Sequence, residues 1–220
     1  MKNVCIATIV EGHGEVKAFP ELIRRIANDI DPGFYPVITH PHRVPGLMPP
    51  RNSERINSKN LERNTLARHT ELARAVELAA RKIAGRGGII ILCDCEDHCP
   101  AEEGPVLLEW AKKARSDTPV SVILATREYE TWFMASAESI ANQHGLAPGL
   151  APPENVEAIR GAKEWLSRRM PRNQPYHEMT HQEELTKLFD MQAARHRSKS
   201  FDRCYRKIHD MLRLLRGEAS

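Results

Sequence analysis

No apolar run in these 220 residues approaches a membrane span, which takes about 20 consecutive apolar residues, so a chain that does not cross a bilayer is expected. The start of the chain lacks the succession of basic, apolar and small residues that marks a secretory signal, and a cytoplasmic location follows as the expectation. A disulfide framework is missing too. The five cysteines are an odd number, and Cys93, Cys95 and Cys99 fall within seven residues of one another. There is no lysine-bearing P-loop pattern, hence no sign of nucleotide hydrolysis by the chain itself. Internal repeats are absent as well.

What is present is an ordinary globular composition, 28% charged and 41% apolar, at a length that suits one well-buried domain with or without an extension. The net charge of +3 is unevenly spread. Residues 160–220 hold 14 Lys/Arg against 8 Asp/Glu, leaving residues 1–159 acidic, although the stretch 43–86 within them is basic, with 10 Lys/Arg against 4 Glu. Basic flanks around an acidic centre suit a polyanion such as nucleic acid; arginine-rich solvated helix faces would give the same count.

Strand-like and helix-like patterns alternate. Val4 to Val10 and Ile89 to Cys93 are apolar runs of strand length, with further strands expected at Phe34–Thr39 and Pro119–Ala125. Phe19, Leu22, Ile23, Ile26 and Ile30 recur at helical spacing and end at Asp31-Pro32-Gly33. Leu72, Val76, Ala79 and Ile83 share a second helical face that stops at Gly85, and Glu102–Ser116 reads as a third helix. Between them, four prolines in residues 40–53 predict a long loop. This alternation implies an α/β fold, doubly wound on a mainly parallel sheet. Beyond about residue 145 the strand signals stop. Two apolar-periodic segments, Val156–Met170 and Phe201–Leu215, predict a helical C-terminal extension, so the expected division is 1–145 and 146–220, the second part packed on the first.

Two acidic groups follow the two apolar runs: Glu11 in Glu11-Gly12-His13-Gly14-Glu15, and Asp94-Cys95-Glu96-Asp97. Functional groups of open α/β sheets collect at the carboxyl ends of the strands, and carboxylates gathered there call for a positive partner. Strand alternation puts Asp94 and Glu96 on one side, and hard carboxylate oxygens suit Mg2+ or Mn2+. Zinc is the competing reading, since Cys93, Cys95, His98 and Cys99 are near, but their spacing is not that of paired zinc knuckles and Cys93 should point into a core. Glu11 is read either as a catalytic group or as a solvated strand end. The glycines beside it would let a phosphate rest at the following helix start, a weak signal without a P-loop. In Arg127-Glu128-Tyr129-Glu130-Thr131-Trp132-Phe133 the acids either open a helix or add a third carboxylate to the site. Arg195-His196-Arg197-Ser198-Lys199-Ser200 has no apolar pattern and reads as an exposed basic loop, idle or supplying a cation to a phosphate.

At these residues the chain resembles the TOPRIM domain of topoisomerases, primases and overcoming-lysogenization-defect nucleases, whose pattern is a Glu after the first strand and an Asp-x-Asp after a later one. More closely, Val10–Glu15, Asp94–Glu102 and Arg127–Phe133, with Gly161–Leu166 and Arg197–Phe201, resemble a bacterial Toprim-like family of unassigned function. The resemblance implies a TOPRIM-like domain over 1–145, with Glu11 on the family glutamate and Asp94 and Glu96 on the Asp-x-Asp, the second aspartate being replaced here by a longer glutamate. The expected activity is a Mg2+- or Mn2+-dependent nuclease. Glu11, Asp94, Glu96 and Asp97 would be metal ligands, and Glu11, Glu130 and Lys199 catalytic groups. Arg43, Arg51, Arg127 and Arg197 would hold nucleic-acid phosphates. The rival expectations are a subunit that binds nucleic acid and works beside an ATPase partner, and a metal-dependent phosphotransferase or phosphatase of a small molecule; a homodimer is open in each case.

Overall fold

The computed structural model describes residues 4–49 and 58–218. Strand β1 (Val4–Val10) is buried along its whole length and forms the axis of a parallel sheet. On one side it pairs with β4 (Arg86–Asp94), and β5 (Val120–Ala125) continues the sheet beyond β4. On the other side it pairs with two short strands in succession, β2 (Val37–Ile38) and β3 (His42–Arg43). The chain is a mixed α/β structure, and the arrangement is Rossmann-like.

Successive residues of a strand point to opposite faces. Ile6, Val10, Ile90 and Leu92 point into one apolar cluster and Ala7, Ile9, Ile89, Ile91 and Cys93 into another. Helices α2 (Ser58–Arg81) and α3 (Pro100–Ala114) pack on the second face. The first is covered by α1 (Glu15–Ile30) and by α9 (Lys199–Arg216), whose Phe201, Cys204, Ile208 and Leu212 are fully buried. Burying each large apolar chain contributes roughly 1.5–3 kcal/mol, so α9 is a main support of the sheet. Between β5 and α9 lie the short helices α4 (Thr131–Ala135), α5 (Ala137–Ile140) and α6 (Ala162–Ser167), then α7 (Glu178–Leu188) and α8 (Met191–Arg197), with a 3-10 turn at Val156–Ala158. Among the described residues, 146–218 contain no strand, and no helix is long and apolar enough to cross a membrane.

Three expectations need correcting. The stretch read as a second strand, Phe34–Thr39, pairs only at Val37–Ile38, and the proline-rich loop contributes β3. The two form one interrupted edge: Thr39 N–H donates to Ile6 O and Val44 N–H to Val10 O, with Pro41 falling between, where no donor is needed. The basic run at 195–200 is not a loop. Arg195–Arg197 are the last turn of α8, and the buried Ser198 caps α9 by accepting the Phe201 N–H at 3.1 Å. Finally, the segment Val156–Met170 is not one helix but the 3-10 turn Val156–Ala158 followed by the short α6.

Candidate functional site

The register Val10↔Leu92 brings the ends of β1 and β4 side by side, so Glu11 and Asp94 leave neighbouring strands at one edge of the sheet. The chain departs from β1 to one side and returns on the other, which makes the crevice between β1 and β4 the switch point where α/β proteins bind ligands. A cleft of about 780 Å³ opens there. Its walls come from the β1–α1 junction (Glu11, Gly12, Glu15), the end of β3 and the segment after it (Arg43, Pro45, Gly46, Met48, Pro49) and α2 (Asn64, Ala67, Arg68, Glu71). Asp94 and Glu96 from the end of β4, Lys163 of α6 and Glu178 of α7 complete it. Six carboxylates thus face three cations, an excess of negative charge that favours a bound cation.

Glu11, Asp94 and Glu15 each lean on a separate protein donor. Glu11 Oε1 accepts the Gly46 N–H at 3.0 Å, while its Oε2 is buried with no hydrogen-bond partner. Asp94 Oδ1 accepts the Tyr129 N–H at 2.9 Å. Glu15, fixed as the first residue of α1, accepts the Gly12 N–H and lies 3.5 Å from Gln182 Nε2. Burial raises the pKa of Glu11 against the backbone N–H groups of Met48, Gly46 and Leu47, which lower it. Glu15 is raised for the same first reason. Asp94 is driven well above the usual carboxylate range by burial, then by the charges of Glu15 and Glu130. Among the described residues no group of three or more His, Cys, Asp or Glu side chains is gathered closely enough to hold a metal ion as it stands.

Behind Asp94 lies a polar network that sequence reasoning did not assemble. Glu130, fully buried at the start of α4, accepts the Tyr176 hydroxyl at 2.8 Å and Gln182 Nε2 at 3.3 Å. Its other oxygen stands 3.6 Å from the Lys163 ammonium, which is also 3.4 Å from Glu178. Burial pushes Glu130 up to about 7 even though Lys163 and Tyr176 pull it down. Burial lowers Lys163, but the surrounding Glu130, Asp94, Glu128 and Glu178 outweigh it and raise its pKa, so it stays charged. Glu130 does not line the cleft, and Lys163 is its contact with it. The signal for Lys163 was present in Gly161–Leu166, a segment noticed for its family likeness but given no role. An aromatic cluster fixes this wall: the tilted rings of Tyr129 and Trp132 lie 4.6 Å apart, those of Trp132 and Phe201 5.2 Å apart, and Trp132 Nε1 donates to Ser200 Oγ at 2.9 Å.

Of the residues expected in the site, Glu11, Asp94, Glu96 and Arg43 line the cleft. Glu96 gets there by a different route from strand alternation, since β4 ends at Asp94 and Glu96 stands at φ 47°. Asp97 turns into ion pairs with Arg127 and Arg160 and borders a neighbouring cleft. Arg197 pairs with Glu138 at 2.8 Å and donates to Ala135 O, and neither it nor the exposed Lys199 lines the cleft. Arg51 lies outside the described residues. Cys93 is buried among α2 and α3 side chains, as its place opposite Asp94 required.

Comparison with curated proteins and with solved structures gave no match. A model of one protein family does match, over residues 10–209, a span that takes in Glu11, Asp94, Glu130 and Lys163. The chain therefore belongs to the family described as Domain of unknown function (DUF4276).

Proposed function

We propose that this protein is a divalent-metal-dependent nuclease of TOPRIM type, cleaving phosphodiester bonds in the cleft between β1 and β4. The observation that carries it is the surplus of carboxylates at the switch point, among them Glu11, whose Oε2 is buried without a hydrogen-bond partner. The placement of a glutamate after β1 and of Asp94-Cys95-Glu96 at the end of β4 supports the TOPRIM relationship. The donor set fits Mg2+ or Mn2+, being hard oxygens with no cysteine or histidine lining the cleft among the described residues. Glu11 and Asp94 would hold the ion, with Glu15 or Glu96 beside them, after swinging off the backbone donors that occupy them now. A bound divalent cation in such a site supplies charge neutralisation and a more acidic water.

The remaining chemistry belongs to the chain. Lys163 places an ammonium beside the carboxylates, where negative charge would grow on a phosphate in the transition state. Arg43 and Arg68 stand across the cleft to hold backbone phosphates, so binding should weaken as salt rises. Arg68 is pre-set for this by bonds to Leu47 O at 2.7 Å and Glu103 at 2.9 Å.

The test is incubation of the purified chain with single- and double-stranded DNA and RNA in manganese. Glu11→Gln and Asp94→Asn should each lower cleavage by about 100-fold or more, in line with loss of transition-state charge stabilisation. Cleavage that survives both substitutions sinks the assignment. Inactivity of the isolated chain, cured by a co-purifying ATPase, would favour a partner-activated subunit instead.

A further inference from the structure

Beside the acidic cleft lies a second, of about 410 Å³, and Glu96 borders both. Three arginines line it: Arg127, Arg160 and Arg168. Arg127 and Glu96 meet in an isolated antiparallel bridge, and both stand in the left-handed region, at φ 67° and 47°. Such angles are costly for residues with a Cβ and tend to survive where a site depends on them. The Arg127 guanidinium is steadied by Glu96 O at 3.2 Å and Glu157 O at 3.5 Å.

What Arg127 and Arg160 hold is an internal anion. Asp97 Oδ1 takes Arg127 and, at 3.0 Å, Arg160, so one carboxylate oxygen sits between two guanidiniums as a phosphate oxygen would. The side chains of Asp97 and Arg160 are 44% and 73% exposed, and ion pairs that open to water are weak and exchangeable. Glu128 and Glu164 also border the cleft, the former engaged by the Lys163 N–H at 3.2 Å. A phosphate is therefore accommodated by replacing Asp97 rather than by joining it.

We propose that this cleft is a subsite for the phosphate flanking the scissile one on a nucleic-acid strand, and that Asp97 occupies it in the free protein as an exchangeable stand-in. The proposal rests on the nuclease reading of the neighbouring cleft and gives Asp97 a role opposite to that of a metal ligand.

Anisotropy of a fluorescein-labelled single-stranded oligonucleotide, in chelator and across a salt series, reads affinity without cleavage. Asp97→Asn should tighten binding by roughly 3- to 10-fold, whereas Arg160→Ala should weaken it and flatten the log–log salt slope by about 0.7, the loss of one phosphate contact on a single strand. Asp210→Asn removes the same charge from a 78%-exposed carboxylate at a different cleft and controls for net charge; it should stay within about twofold. An Asp97→Asn effect no larger than that of Asp210→Asn overturns the subsite, as does unchanged oligonucleotide affinity with lost manganese-dependent cleavage, the mark of a metal ligand. Inorganic phosphate competing as effectively as the oligonucleotide would overturn the strand assignment. Absent cleavage with a retained Asp97→Asn gain would fell the nuclease reading and reduce the subsite to a strand-phosphate site with no scissile neighbour; intact cleavage without the gain would overturn the subsite and leave the nuclease reading standing.

Discussion

Removing the ammonium of Lys163 separates what a residue does for the fold from what it does for the site. Lys163→Met leaves Glu130 fully buried and without its counter-charge, although the Tyr176 hydroxyl remains on it. Because Glu130 already titrates at about 7, it can take a proton instead of standing as an uncompensated charge. The stability loss should therefore be modest, about 1–3 kcal/mol by urea titration, below the usual cost of breaking a fully buried pair. Cleavage should fall by about 100-fold even where the variant remains folded. The double variant Lys163→Met, Glu130→Gln should regain most of the stability and none of the activity. Parallel recovery of both would mean that Lys163 is only structural. The asymmetry in what sequence reveals has the same root. Glu11 and Asp94 were legible because each terminates an apolar run, a local pattern. Lys163, Gln182 and Tyr176 were not, because their burial is decided by partners such as Glu130, which local spacing does not connect to them.

At the level of elements, the hidden piece is α7. Its buried positions are Gln182, Leu185 and Thr186, a mostly polar face that leaves no apolar stripe to read. It nevertheless seats Gln182 between Glu15 and Glu130 and brings Glu178 to the cleft. Strands β1, β4 and β5 and helices α1 and α9 were legible for the opposite reason, since their buried faces are almost wholly apolar. β3 was hidden by flanking prolines, and the start of α2 by exposed Leu61 and Leu66, which break the helical apolar period. The closeness of α7 to the glycine motif can be tested. A Cβ on Gly14 would lie 1.9 Å from Gln182 Oε1 and 3.0 Å from Glu178 Cβ, and Gln182 is fully buried, so it has nowhere to swing. Gly14→Ala should cost about 1–3 kcal/mol, the range of an overpacked core, read as a fall in the urea midpoint at unchanged slope. Adding Gln182→Ala should return part of that loss. If Gly14→Ala is neutral, α7 does not close on the β1–α1 turn.

Over the whole molecule, gathered carboxylates make the fold prefer mild acid. Glu130 is pushed up to about 7, Asp94 well above its ordinary range, and Glu11 and Glu15 upward, in each case first by burial. A group whose pKa is higher folded than unfolded binds more protons in the native state at intermediate pH. Its stabilisation is complete below the unfolded pKa and is lost as pH rises through the folded one. Lys163 is charged in both states across this window and adds no slope. The melting temperature should therefore fall between about pH 5 and pH 8, with a loss on the order of a few kcal/mol from these groups together. Glu130→Gln, neutral at every pH, should flatten the upper part of that decline. If the carboxylates are ligands, manganese should restore stability most at the alkaline end, where the ligands are already deprotonated and a cation neutralises their repulsion. The same addition to Glu11→Gln, Asp94→Asn should restore little. A melting temperature level across the range would mean that the cleft admits water freely enough to relieve the crowding. A decline that manganese leaves untouched would mean that the crowded charge serves something other than a metal.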